Sequence, residues 1–316
     1  MKEKCNKRTL LAIWKSRYIY LLLLPGIVYI VVFKYAPMYG IQLAWKDFLA
    51  SKGIWGSEFI GGNNFTALFQ DGQFWIALRN TFIIGVMQTL ISFPFAIILA
   101  ILINEIAKNR VRRTLQVIIT FPHFLSWVIV TSVVFNLLGN TGIINNLMQA
   151  FGGERVNFLA NKGMFRWLLV LTYMWKESGW NAILYTAAIA SINPNLYESA
   201  KIDGASKWQK ILYITLPSIS RVVMILFALH VGTIFDSGYS QVLNMYNPSV
   251  FETGDILDTY VYRMTFQRVS NYGLSTAAGL IKGLANAALL LLVALLARKV
   301  LRESLMGGDE ISEKTK

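Results

Sequence analysis

Apolar residues along the chain come in long blocks divided by shorter polar stretches. Six blocks reach the length a bilayer crossing needs, about 20 mostly apolar residues. They cover residues 18–35, 75–103, 115–138, 165–190, 219–239 and 279–297. Such blocks predict an all-α integral membrane protein with six transmembrane helices. The second and fourth are long enough to tilt or to protrude. The two longest polar stretches, 36–74 and 240–278, hold Gly, Asn, Asp and aromatic residues. They are expected to form short surface helices and turns without a second hydrophobic core. No internal repeat, coiled-coil heptad or low-complexity tract interrupts this pattern.

The polar stretch 193–217 has a sharper local signature. Asn193-Pro194-Asn195 is a helix-start signal, since Asn caps helices and Pro suits their first turn. Leu196-Tyr197-Glu198-Ser199-Ala200-Lys201-Ile202 then reads as a short helix. Glu198 is placed in its first turns, where the helix dipole favours an anion. Ala200 is small enough for close approach. After Asp203, Gly204 supplies the positive φ that commonly ends a helix. A second helix starts at Ala205-Ser206-Lys207 and carries Trp208, Ile211, Leu212 and Thr215 at spacings of three and four. Pro217 is expected to end it just before the fifth block.

Composition agrees with membrane placement. The chain has 316 residues, of which 55% are hydrophobic and 15% charged, with mean hydropathy +0.47. A soluble chain would carry about 25% charged residues. The net charge of +13 would suggest nucleic acid in a soluble protein. Here it belongs to loops, because cytoplasmic loops collect Lys and Arg, and no nucleic-acid partner is expected. The N-terminal 17 residues, the loops after the second and fourth blocks, and the tail from residue 298 hold eighteen Lys and Arg. The other three loops hold six. This asymmetry predicts cytoplasmic termini and a cytoplasmic 193–217 segment. The domains are then an N-terminal segment 1–17, a membrane region 18–297 and a tail 298–316. The basic start before the first block could be a secretory signal. The block is longer than a signal core and no A-x-A-type site follows, so it reads as a retained anchor. Cys5 is the single cysteine and forms neither an internal disulfide nor a cysteine-based metal site.

The stretch Glu198-Ser199-Ala200, three residues, Gly204, nine residues, Ile214-Thr215-Leu216-Pro217 resembles the E-A-A-x3-G-x9-I-x-L-P signature of the membrane subunits of binding-protein-dependent ABC importers. Ser199 departs from the usual Ala, a small polar change. Phe59-Ile60-Gly61-Gly62-Asn63-Asn64-Phe65 is similar to the F-x-G-x-x-N-F element of sugar permeases of this class. Asn80-Thr81 is similar to their N-T pair. Trp175-Lys176-Glu177-Ser178-Gly179-Trp180-Asn181 resembles the W-x-x-x-G-W-N stretch of the oligosaccharide branch. The resemblance covers nearly the whole chain and is strongest from Trp175 to Pro217.

The resemblance implies the type I importer fold in a bacterial cytoplasmic (inner) membrane. It implies a dimeric core, here with a different but homologous permease, two copies of a cytoplasmic ATPase and an extracytoplasmic solute-binding protein. Glu198, Ser199, Ala200, Asp203, Gly204, Ile214, Leu216 and Pro217 would couple to the ATPase, and alternating access would move an oligosaccharide. This chain would hold no cofactor, while ATP and Mg would be bound by the ATPase. It carries no G-x-x-x-x-G-K-[ST] phosphate loop, no H-E-x-x-H, no G-x-S-x-G elbow and no clustered metal ligands, so no catalytic residues are expected.

Polar groups inside spans cost free energy and usually have a function or a partner. Tyr173, Glu177, Trp180 and Tyr185 recur at helical spacing, with Asn181 beside them and Asp236 near the outer end of the fifth block. Aromatic faces with a carboxylate and an amide suit a sugar, so these six are the candidate pathway. Lys176 and Glu177 are adjacent and are expected to point apart. Lys282 is expected to snorkel. His123, after Pro122, is expected to be a neutral, hydrogen-bonded histidine beside a helix kink. The sequence leaves open a neutral oligosaccharide, an acidic one such as a pectin or alginate fragment, and a lipid-linked or peptide solute. A secondary transporter would need paired charges across several spans, often with inverted repeats, and neither is evident.

Overall fold

The computed structural model describes residues 15–236, 238–267 and 271–313. Cys5 and most of the N-terminal segment lie outside them. Helix α1 (Arg17–Ile30) runs through a π-turn (Val31–Tyr35) into a 3-10 stretch (Ala36–Trp45). No side chain of α1 is buried. Two-residue strands β1 (Lys46–Asp47) and β2 (Glu58–Phe59) pair antiparallel, Lys46 opposite Phe59. This small ladder is an addition to the all-α expectation. After α2 (Asn63–Gln70), the 33-residue α3 (Gly72–Asn104) begins under an N-cap from Asp71, whose Oδ1 accepts from Gln73 N at 2.8 Å.

The third apolar block is not one helix. It divides into α4 (Asn109–Thr120), a 3-10 turn (Phe121–Phe124) and α5 (Trp127–Leu138). Pro122 removes an N–H and its ring opposes a continuous helix. Ser126 then caps the new start, its Oγ accepting from Ile129 N at 3.3 Å. Helices α6 (Ile143–Ala150) and α7 (Lys162–Ala190) follow, then α8 (Pro194–Ile202). Helix α9 (Lys207–Val231) contains a π-turn at Ile211–Thr215. Helices α10 (Tyr239–Met245) and α11 (Leu257–Tyr262) lie between α9 and the long α12 (Tyr272–Glu313).

Among the described residues, five helical stretches are long and apolar enough to cross a membrane: Arg17–Trp45, Gly72–Asn104, Trp127–Ala150, Lys207–Val231 and Tyr272–Leu296. Helix α7, the fourth expected block, has 29 residues but carries Lys162, Arg166, Lys176 and Glu177. It packs lengthwise along α3, and Ala96, Ala100, Ala182, Tyr185 and Ile189 form a core closed by Ile219 of α9.

The long polar stretches do build a core of their own, contrary to expectation. Ala44, Leu68, Phe74, Leu257, Tyr260 and Ala277 pack together, joining both stretches to the ends of α3 and α12. Their apolar residues are spread over many short turns, so no sequence block marked them. Asn80 and Thr81 tie this cap to the bundle. Asn80 Nδ2 donates to the carbonyls of Glu252 and Asp255, and its Oδ1 accepts from Arg166 Nη2. Thr81 Oγ1 accepts from Leu257 N at 2.8 Å. Asp255 also holds Arg263 through two bonds of 2.5 and 2.6 Å. Burial disfavours the guanidinium charge, but this carboxylate more than offsets it and raises the Arg263 pKa.

Candidate functional site

The 193–217 segment folds from its own local signals. Asn193 Oδ1 accepts from Asn195 N at 3.0 Å, and Pro194 is the first residue of α8. The helix ends in a Schellman arrangement: Ala205 N donates to Ala200 O at 2.8 Å and Gly204 N to Lys201 O at 3.2 Å. That closure needs Gly204 at φ +75°, and nothing lies within 4 Å of where a Cβ would stand. Ser206 and Gln209 form a capping box that starts α9. Tyr197 OH and Thr215 Oγ1, 2.9 Å apart, brace α8 against α9.

Two details differ from expectation. Glu198 is the fifth residue of α8, beyond the first turn, so the helix dipole gives it no special support. Pro217 does not end the second helix; α9 continues through it to Val231. The π-turn just before Pro217 absorbs the hydrogen bond that proline cannot donate. Ile214 and Leu216 are half-buried, while Glu198, Ser199, Asp203, Gly204 and Pro217 are exposed and Ala200 half-buried. Ile202 and Trp208 stand 86% and 79% exposed, which gives this end of the molecule apolar knobs beside charged groups. Glu105, Glu198, Lys201, Lys207 and Lys210 line a cleft with Tyr197.

The six candidate pathway residues fall into three places. Glu177 and Trp180 meet His123 at the break between α4 and α5. His123 Nδ1 lies 2.6 Å from Glu177 Oε2, and its ring stacks on Trp180 at 4.5 Å and 7°. Lys176 Nζ donates to Glu177 Oε1 at 3.0 Å and to the His123 carbonyl at 2.7 Å. Adjacent residues thus pair after all, because the long lysine side chain folds back over its neighbour. His123 is hydrogen-bonded beside a helix break, as expected. Tyr173 is half-buried one turn before Glu177.

Asn181 and Tyr185 face elsewhere, toward α3 and α9. They line a cavity of about 250 Å³ with Phe93, Leu226 and His230. The helical turn carries Tyr185 about 120° from Tyr173, too far for one face. Asp236 is remote from both groups: its Oδ1 meets Lys282 Nζ at 2.8 Å and its Oδ2 accepts from Asn286 at 2.5 Å. Lys282 also donates to Asp258 at 2.7 Å, so it is tied between two carboxylates and does not snorkel.

Sequence reasoning took Gly179 only as a position of the Trp175–Asn181 resemblance, without its packing role, and passed over His230 and Asp258. A Cβ on Gly179 would lie 1.9 Å from the Ile119 carbonyl oxygen, so the glycine lets α7 touch the end of α4. No local pattern signals that contact. His230 and Asp258 acquire partners far away along the chain and have no spacing signature either. Among the described residues, no three His, Cys, Asp or Glu side chains converge as metal ligands.

The model of the family described as "binding-protein-dependent transport system inner membrane component" matches residues 92–302. The polygalacturonan/rhamnogalacturonan transport system permease protein YteP of Bacillus subtilis (strain 168) is 40% identical over 299 residues, covering 94% of this chain and 93% of YteP. Protein LplB of the same organism is 38% identical over 93% of this chain and 92% of its own. A crystal structure of a bacterial ABC transporter involved in the import of the acidic polysaccharide alginate contains a similar chain. It is 36% identical with TM-score 0.85, covering 93% of this chain and 99% of that one. A second structure, 36% identical with TM-score 0.83 over 92% of this chain and 96% of that one, is a bacterial alginate ABC transporter in complex with an alginate pentasaccharide-bound periplasmic protein. The chain therefore belongs to the binding-protein-dependent inner membrane components and is the permease subunit of an ABC sugar importer.

Proposed function

We propose that this permease imports an acidic oligosaccharide and that α8 is the element through which a separate ATPase drives it. The observation that carries the reading is the build of the 193–217 segment. A short exposed helix is closed by Gly204 at positive φ and is braced by the Tyr197–Thr215 contact onto α9. Such a knob offers a docking surface at one end of a membrane helix, and Glu198, Ser199, Ala200 and Asp203 form its exposed and half-buried surface. Ile214, Leu216 and Pro217 form the joint behind it.

In this reading α7 is a sixth crossing, both termini are cytoplasmic and α8 faces the cytoplasm. The eighteen-to-six division of basic residues supports that orientation. A homologous permease completes the membrane core as a heterodimer, and two ATPase copies hold ATP and Mg. An extracytoplasmic binding protein delivers the sugar. ATP binding closes the ATPases, α8 moves with them, and the pathway opens toward the loaded binding protein; hydrolysis resets it. The acidity of the substrate is supported by the relatives: one is named for polygalacturonan and rhamnogalacturonan, and the similar structure serves the acidic polysaccharide alginate. Tyr173, Glu177, Trp180, Asn181, Tyr185 and Asp236 belong to the pathway region, in the three places described above.

The test is ATP hydrolysis in proteoliposomes holding this chain, its partner permease and the ATPase, with and without loaded binding protein. Gly204→Asp removes the residue type that tolerates φ +75° and puts a carboxylate on the knob. Stimulated hydrolysis is expected to fall at least tenfold with the complex still assembled. Uptake that follows an ion gradient without any ATPase would sink the reading.

A further inference from the structure

Where α3 and α7 begin, the bundle gathers more positive charge than it balances. Arg79 of α3, Lys162 and Arg166 of α7, and Glu252 of the short helical turn Phe251–Gly254 meet at one spot. Lys162 Nζ lies 2.6 Å from Glu252 Oε2. Arg79 Nη2 donates to the Glu252 carbonyl at 3.2 Å. Arg166 donates from Nε to the Thr253 carbonyl at 3.0 Å and from Nη2 to Asn80 Oδ1 at 2.8 Å. Neutral acceptors hold both guanidinium groups, and neither pairs with a carboxylate among the described residues. The other buried cations at this end are matched: Arg263 has Asp255, and Lys282 has Asp236 and Asp258. The hydrogen bond from Lys162, joined by the charges of Lys162, Arg79 and Arg166, holds the Glu252 carboxyl below its ordinary pKa. Three cations therefore share one full anion.

Such a surplus runs against the usual distribution, since Lys and Arg of membrane proteins collect on the cytoplasmic side. Nor do the local contacts require it. A bond to a carbonyl needs only a neutral donor, and Asn80 already supplies one to the Glu252 carbonyl at 3.1 Å. The Lys162 and Glu252 side chains are 56% and 60% exposed; Arg79 is exposed and Arg166 half-buried. Trp75, one turn before Arg79, is half exposed and stacks on Phe69 at 6.0 Å and 30°. Arg and Trp on a rigid support are the residue types that anchor protein contacts. A surplus of one sign steers a partner of the other sign.

We infer that Arg79, Lys162 and Arg166 form a docking patch for an acidic surface of the extracytoplasmic binding protein. This rests on the reading above, in which this end faces outward and a binding protein delivers the sugar. The patch spreads over the starts of two helices and a turn, a breadth that suits a protein surface. Glu252 lies within it and tempers its attraction.

The experiment titrates ATP hydrolysis by the full reconstituted complex with its oligogalacturonate-loaded binding protein, in phosphatidylcholine vesicles. The double variant Arg79→Gln/Lys162→Gln brings the spot to neutrality and leaves the Arg166 and Asn80 ties in place. The half-saturating concentration of binding protein is expected to rise about tenfold, with the maximal rate within about twofold. Glu252→Gln removes the anion and is expected to lower half-saturation by about twofold. Added salt should weaken wild type more than the double variant. Opposite shifts from the two variants are a pattern that a merely structural role would not produce. If maximal rates fall at unchanged half-saturation, the cluster only fastens the cap and the inference fails. If the shifts vanish when the sugar is methyl-esterified, the patch reads the sugar; if they need phosphatidylglycerol in the vesicles, it holds lipid headgroups. Either result overturns the docking patch. Wild type that hydrolyses ATP equally with and without loaded binding protein would overturn the delivery reading itself, a distinct result.

Discussion

A missing side chain decides how close α7 comes to the broken third crossing. With the Ile119 carbonyl 1.9 Å from the site of a Cβ, Gly179→Ala must push two backbones apart. Overpacking of this kind costs about 1–3 kcal/mol, occasionally more. The variant is expected to melt several degrees lower in detergent; Gly204→Ala meets no crowding and carries only the strain of a side chain at positive φ, about 1–2 kcal/mol. Equal melting of Gly179→Ala and wild type would contradict the close approach. The two glycines differ in how well the sequence announced them. Gly204 follows a capped seven-residue helical pattern, and its left-handed backbone is a local necessity of the turn. Gly179 matters because of a carbonyl sixty residues earlier, and nothing near it in sequence says so. The Lys176–Glu177 contact was hidden for a related reason: helix geometry separates adjacent positions, but a flexible side chain returns.

Among the elements, helix existence was legible and helix continuity was not. Long apolar blocks located every major helix. Hydropathy runs straight through Pro122, however, while the backbone cannot, so the third block broke into α4, a turn and α5. At Pro217 the reverse happened. Proline suggested an end, and a single π-turn at Ile211–Thr215 carried the helix across. Pro217→Ala restores an N–H that can bond to the Tyr213 carbonyl, which favours plain α geometry over the π-turn. That change would rotate the 207–210 end against the rest of α9. Melting temperature is expected to hold or rise, while binding-protein-stimulated ATP hydrolysis falls. Unchanged hydrolysis would mean that the π-turn has no part in coupling.

For the whole molecule, charge predicts the sidedness that packing alone does not contain. In a variant lacking Cys5, single cysteines at Lys201 and Lys52 should behave oppositely in intact cells. An impermeant maleimide is expected to label Lys52→Cys and to spare Lys201→Cys until the membrane is opened. The reverse pattern would invert the molecule and remove α8 from the reach of ATP. The cap built by the two long polar stretches was the least legible part of the architecture. Its core draws one to three residues from each of α2, α3, α11 and α12, so no window of sequence is apolar enough to reveal it. The candidate site divides in the same way: the docking end is local chemistry and could be read, whereas the His123 cluster is assembled across 54 positions and could not.

The unbroken course of α9 from Lys207 to Val231 makes it a lever. Twenty-five residues at 1.5 Å each give a rod of about 38 Å, with α8 fastened near its foot by the Tyr197–Thr215 contact. Pivoted near its middle, such a rod is tilted by about 15° when its foot is pushed sideways by roughly 5 Å. The far end then swings by a similar distance, at the level of the Ile234–Asp236 turn and the Asp236–Lys282 pair. A nucleotide event on one side of the membrane would thus reach the other side through the stiffness of a single helix, with no relay of side chains between them.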